Sequence, residues 1–541
     1  MLPLLATLTQ PLEATPTPIG HVDVAWSALA PILFLVGAAL LLLVVDALSR
    51  RKVRAGGYAL FTSVAAVASM ALAYPLWRRV QDHHRGPFST IGHAVGVDGF
   101  SVFATFTICA AVVLGALLMD GWLRREEMDG AEPYVLMLLS ASGGLMMASA
   151  NDLIVMFLGL EILSLAVYVL AAMHLRKITS QEAGVKYFVL GAFSSAFFLY
   201  GIAMTYGATG STNLVDISAY LAKTSLSDSG LLLAGMALLL VGFGFKVAAV
   251  PFHFWAPDVY QGAPSPSVAW MASGVKVAGF AGLIRVFVLG LGQYRLDWQP
   301  IVFAIAAVTL VVGSVMAVVQ TDVKRMLAYS SISHAGFILV GVQAASSDGV
   351  KGALFYLAAY TFMVAGSFGV VTLVGRKGDV GMALDDFRGL ARDRPVLALV
   401  FTLFLFAQAG VPLTSGFFAK FYVINAAIGS GSTGLAIIAM VSAVVAAFLY
   451  LRIIVAMYMT ADEDLPERRT IAIPFGAGLA LGLAVVVTLA AGIFPSLLAN
   501  PAGRATPALV LEPTKAAPAQ PSLPSDQVPV DPSAPTTTII P

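Results

Sequence analysis

The run GFGFKVAAVPFHFWAPDVYQGAPSPSVAW, residues 242–270, places Lys246, Pro251 and His253 directly after the hydrocarbon stretch LLLAGMALLLV. Other apolar runs carry Lys186, Lys276, Arg285, Lys420 and Arg452, and Glu161 is the one acid deep inside such a run. On insertion scales each charge at a bilayer centre costs about 2.5–3.5 kcal/mol. Glu161, Lys186, Lys246, Lys276 and Lys420 together would then cost on the order of 15 kcal/mol facing lipid, more than a fold's usual margin. They must face a hydrated protein interior and, in part, one another. The chemistry they suit is proton transfer. Desolvation lowers a lysine's pKa and a nearby carboxylate raises it, so a lysine whose partner comes and goes can bind and release a proton near neutral pH. Arginine cannot do this, and the four deep bases are lysines.

Depth suggests pairing. Glu161 lies nine residues after Asp152 at the outer start of its span, about 13 Å into the membrane. A capping box from Thr179 to Glu182 would start the next span on the inside, putting Lys186 about 10 Å in from that side. A Glu161–Lys186 pair near the midplane is therefore expected. The alternatives are that Lys186 snorkels to the interface or pairs only with Glu182 at i, i+4. For Lys246 and Lys276 the rival is a static ion pair. Arg285 and Arg452, nearer span ends, read as structural, and His334 by itself would fit a satisfied core residue.

The prolines add a second element. Pro251 and Pro412 each remove a helical hydrogen bond inside a span, and broken backbone at membrane depth survives only in protein or beside a watery cavity. Each has a lysine close by, and the two spans lie five apart. That pattern points to inverted repeats with a site at the midplane, although the lysine precedes the proline in the first unit and follows it in the second.

The elements holding these residues are membrane helices. The chain is 541 residues long, 58% hydrophobic and 11% charged, with a mean hydropathy of +0.86. Soluble domains have about 25% charged residues. The class is an all-α polytopic membrane protein of about 14 transmembrane helices, each near the 20 residues that a hydrocarbon core of about 30 Å requires. Spans one to three fall in residues 1–132. The first inverted five-helix repeat covers 133–291 and the second 299–458, with discontinuous helices seven and twelve. Span fourteen follows at 471–496, then a Pro-rich tail over 500–541 that reads as disordered. Loops after odd-numbered spans hold seventeen Lys and Arg, the other loops and tail eight. This places odd loops in the cytoplasm and both termini outside, although WRRVQDHHR at 77–85 runs against it. A net charge of +1 gives no case for nucleic acid. The lone Cys109 excludes an Fe–S cluster or Cys-rich metal site contributed by this chain alone, and no metal or cofactor site is expected. The N-terminus lacks the basic region of a signal peptide and is expected to stay on the protein.

The run KVAAVPFHFWAPDVYQGAPSPSVA resembles the signature of the antiporter-like membrane subunits of respiratory complex I. These are related to Mrp-type sodium/proton antiporter and membrane-bound hydrogenase pump subunits. NDLIVMFLGLEILSLAVYVL around Glu161, DVKRMLAYSSISHAGF around His334 and GVPLTSGFFAKF around Lys420 extend the likeness over roughly residues 27–496. Within that family, it is closest to the type that ends after fourteen spans, has no long lateral helix, and has lysine on span twelve. The resemblance implies roles: Glu161 as the span-five acid, Lys186 as its partner and Lys246 as the central base. Lys276 would connect through His253 and His334 to Lys420, which feeds the outer half-channel. It also implies a bacterial inner (plasma) membrane location. Partners would be the lipid bilayer and the other membrane-arm and peripheral-arm subunits, which hold FMN, Fe–S clusters and quinone. Outward proton pumping would be coupled to electron transfer from NADH in those partners. The alternatives are an Mrp-type antiporter subunit or a hydrogenase pump subunit.

Overall fold

A computed structural model describes residues 24–49, 56–128, 130–224, 230–459 and 471–505. Most of the expected tail lies outside them; its first residues close the short helix Ser496–Arg504. Among the described residues, twelve helices are long and apolar enough to cross a membrane. Glu132–Ser149 and the broken pair Pro395–Ala409 and Ser415–Gly429 supply the remaining two expected spans.

Local chemistry sets several starts. Asp98, Asp152, Asp322 and Ser346 cap spans three, five, ten and eleven by accepting from free N–H groups of the first turn. The expected capping box at Thr179 is absent. Span six begins at Ile178, with Lys177 at the cap position and no side-chain cap, so Thr179 is already helical. Two elements escaped the sequence: a small hairpin pairing Phe88–Thr90 with Val95–Val97, and an amphipathic helix Leu214–Lys223 between spans six and seven.

Matched backbone bonds make the two repeats visible. The N–H of Leu153, at the start of span five, donates to Thr212, and that of Leu214 donates back to Asn151. The N–H of Val323, at the start of span ten, donates to Met382, and that of Leu384 donates back to Thr321. All four positions are shifted by one constant offset in sequence. Spans three (Gly99–Glu126), eight (Ser265–Gly290), ten (Val323–Gln343) and eleven (Ser347–Val374) are 83–100% buried along their apolar windows. Spans one, six, nine, thirteen and fourteen bury only 33–39%. The former are the packed centre and the latter the apolar rim, which suits a helical body immersed in lipid.

Both expected breaks are present. Span seven runs Gly230–Val247, stops, and resumes at Trp255–Gly262. Span twelve stops at Ala409 and resumes at Ser415. The broken backbone is satisfied by side chains. Thr309 Oγ1 of span nine accepts from the N–H of Val250 at 2.9 Å, and Trp255 Nε1 donates to the carbonyl of Phe245 at 2.9 Å.

Candidate functional site

Lys246 ends the first half of span seven and is 4% exposed. Its Nζ donates to Ser164 Oγ at 2.8 Å, and that hydroxyl donates to the carbonyl of Leu160 at 2.5 Å. Glu161 lies on the same helix as Ser164 and accepts a short hydrogen bond from Ser195 of span six. Ser164, Ser195 and Lys246 line one cleft with about 10 Å³ free for a water's centre, room for roughly one molecule. Ser164, which holds Lys246, and Ser195, which holds Glu161, thus line the same cleft.

Lys186 does not join it. Its Nζ sits 2.6 Å from Glu182 Oε1 and 2.8 Å from Asp258 Oδ2, so the expected Glu161–Lys186 pair is replaced by two other carboxylates. The physical reason is register. Ser195, which holds Glu161, is nine residues beyond Lys186, about 13 Å further along span six. Lys186 instead lines a cavity of about 460 Å³ at the opposite end, with Lys177, Asp258, Asp322, Asp379 and Asp386.

In span eight, Lys276 is 3% exposed and donates to Ser331 of span ten, to its carbonyl at 2.7 Å and its Oγ at 2.6 Å. Its ammonium lies 5.6 Å from the centre of the Tyr360 ring. One turn along span ten, His334 is held at both nitrogens, by Tyr356 OH at 2.6 Å and Tyr450 OH at 3.2 Å. Tyr450 OH meets Ser330 Oγ at 2.7 Å, Ser330 meets Gln408 Oε1 at 3.2 Å, and Gln408 donates to Ser367 at 2.6 Å. Gln408 precedes Ala409, whose carbonyl accepts from Lys420 Nζ at 2.8 Å. Hydroxyl, imidazole and amide groups therefore continue from the second repeat's centre to the break in span twelve. His253 stands apart from this path. It is buried in the span-seven break, its ring against Phe254, and its Nδ1 has no protein partner.

The break geometry resolves the mismatch in lysine order. Lys246 sits at the C-terminal end of the first half of its broken span. Lys420 starts from the second half but reaches back to Ala409, the C-terminal end of the first half of its own. The Lys420 ammonium thus meets the negative end of a half-helix, and Lys246 stands in the last turn of one. Gly410 permits the second arrangement: its φ is +91°, and a Cβ there would lie 3.0 Å from Lys420 Cδ.

The other membrane arginines are structural, as their positions suggested. Arg285 is fully buried and bonded to Asp98 at 2.7 Å, Asn151 at 3.1 Å and the carbonyl of Ala148 at 2.5 Å. Arg452 caps the last carbonyls of span nine at Val318 and Gln320.

Sequence reasoning missed the groups that connect the lysines: Ser164, Ser195, Ser331, Tyr356, Tyr450 and Gln408. Single hydroxyls and amides in apolar helices carry no spacing signal. It also placed Lys324 in a loop, whereas Lys324 is fully buried, bonded to the carbonyl of Ala263 at 2.6 Å and 3.5 Å from Asp379. Asp379, in the loop after span eleven, also accepts from Trp122 at 3.1 Å and Arg125 at 2.9 Å. Burial alone would push its carboxyl up, but the charges of Lys324, Arg125 and Lys177 together hold it below the usual carboxylate range.

Two broken helices in inverted repeats, with buried lysines strung between them, define an antiporter-like membrane subunit. Residues 150–446 match the family described as NADH:quinone oxidoreductase/Mrp antiporter, TM. NADH-quinone oxidoreductase subunit N of Trichlorobacter lovleyi is 42% identical over 410 residues, 76% of this chain and 84% of the relative. Subunit N of Parafrankia sp. is 40% identical over 506 residues, 88% of this chain and 94% of the relative. A chain of respiratory complex I from Thermus thermophilus with bound aureothin aligns with a TM-score of 0.72 at 32% identity, covering 87% of this chain and 98% of its own. A chain of the Mrp complex from Dietzia sp. shares the fold, with a TM-score of 0.73 at 21% identity over 89% of this chain and 97% of its own. The chain belongs to the NADH-quinone oxidoreductase subunit N family.

Proposed function

We propose that this chain is a proton-translocating membrane-arm subunit of a bacterial NADH–quinone oxidoreductase, with both termini on the outer side of the plasma membrane. Partner subunits would oxidise NADH through FMN and Fe–S clusters and reduce quinone. This chain would move protons outward as that energy arrives. The observation that carries the reading is the series Lys246, Lys276, His334 and Lys420, buried at membrane depth between two broken helices and joined in part by hydroxyl groups. Lys246 takes or yields a proton as the charge on Glu161 is felt more or less strongly through Ser164 and Ser195. Lys276 and His334 relay, and Lys420 releases beside the second break.

The test is NADH-driven acidification of inverted membrane vesicles. Lys246→Ala or Glu161→Gln should lower its initial rate about a hundredfold or more, the lower end of what a positioned proton-transfer group contributes. NADH oxidation by ferricyanide, which reports the partner subunits, should stay unchanged. Unaltered acidification in both variants would overturn the reading. Sodium-dependent exchange without NADH would assign the chain to the antiporters.

A further inference from the structure

The second half of broken span seven, Trp255–Gly262, is gripped by two other spans. Asp258 Oδ2 accepts from Lys186 of span six at 2.8 Å, and Asp258 Oδ1 accepts from Arg325 of span ten at 2.7 Å. Arg325 also donates to Gln261 at 3.0 Å, and its neighbour Lys324 donates to the carbonyl of Ala263 at 2.6 Å, just past the half-helix. Span six belongs to the first repeat and span ten to the second. One carboxylate therefore holds cations from both. The three side chains are 27–42% exposed, and Lys186 and Asp258 border the 460 Å³ cavity. Ion pairs that wet add little to stability, so their effect here is to orient a half-helix rather than to hold the fold. The half-helix can respond, because residues 248–254 join it to the Lys246 half through non-helical backbone, with Ala248 at φ 60°.

We propose that Asp258 is a positioning residue that ties the second half of span seven to the second repeat through Arg325 and to the first through Lys186. The balance between the two ties sets how that half-helix stands beneath Lys246. The inference rests on the proton-translocating reading given above. Asp258 touches neither Lys246 nor the relay and acts only through the half-helix. Lys186 also has Glu182, on its own helix, as a second place to rest. The Lys186 tie can therefore loosen without stranding a charge, while Arg325 keeps its hold on Gln261.

The test uses the assembled complex in inverted vesicles, with Asp258→Asn, Asp258→Glu, Arg325→Gln and the double variant Asp258→Asn/Arg325→Gln. Asp258→Asn and Arg325→Gln should each slow acidification about threefold or more, and the double variant should be no slower than Asp258→Asn, which has already lost the ion pair that Arg325→Gln removes. Asp258→Glu should stay within about twofold of the wild type, because it keeps both ion pairs. Multiplying losses in the double variant, or a Glu variant as slow as the Asn variant, would overturn the proposal, and so would unchanged acidification in Asp258→Asn. If Asp258→Asn fails to assemble, as judged by lost ferricyanide activity, the decision falls to the other two. Arg325→Gln slowed with Asp258→Glu near wild type supports the tie, and any other pattern overturns it. Glu161→Gln, run alongside, separates the two readings: unchanged acidification there removes the translocation reading itself.

Discussion

Lys246 and Lys420 both belong to the end of a half-helix by different routes, Lys246 by its place in the last turn and Lys420 by reaching back to the Ala409 carbonyl. Neither touches a carboxylate directly. Lys246 hydrogen-bonds a single hydroxyl, that of Ser164, which in turn donates a hydrogen bond to the Leu160 carbonyl. A base whose hydrogen bond goes to a neutral hydroxyl is free to change its charge, which a tight carboxylate partner would prevent. Ser164→Ala should remove that contact. Vesicle acidification should fall about two- to fivefold, as for one member of a polar network, with complex assembly intact. An unaffected rate would show that Ser164 is incidental to transfer.

At the scale of elements, the breaks hold together because neighbours supply the missing hydrogen bonds. Thr309 of span nine, at the start of the second repeat, takes the N–H of Val250 inside the first repeat's break. Thr309→Val keeps the shape and leaves that buried donor without a partner, at a cost of about 1–3 kcal/mol. The purified complex should lose thermal stability by a corresponding amount, read as earlier release of this subunit on heating. Prolines announced the breaks, whereas the capping aspartates that start spans three, five and ten became evident only in the structure. The hairpin at Phe88–Val97 and the helix Leu214–Lys223 were hidden because both are short and rely on packing rather than on long periodicity.

The whole molecule is fastened at one end by Asp379. Its loop ties span three through Trp122 and Arg125, span eight through the N–H of Ser265 at 3.2 Å, and span ten through Lys324; the backbone carbonyl of Asp379 takes Lys177 of span six at 3.1 Å. Asp379→Asn would leave Lys324 buried without its anion, a loss of about 3–5 kcal/mol. Because the folded carboxyl is held below its ordinary range, its stabilisation is complete above that range and disappears as pH falls through the lowered value. Thermal melts of the complex should therefore show a wild-type stability that declines on acidification, and an Asn variant that is weaker at neutral pH and less sensitive to acid.

The sequence by itself determined the class, the spans, the two breaks and the residues at membrane depth. Each of these follows from a local rule: an apolar run must cross lipid, a proline cannot donate, and a charge in such a run must find a protein interior. Only the tertiary structure decided partners. Depth counted from the sequence put Glu161 and Lys186 within reach, yet register along span six sends one to Ser195 and the other to Asp258. Lys324 looks like a loop residue until the Asp379 loop folds over it. Depth is set by position along one helix, whereas contact depends on how several helices turn their faces toward one another.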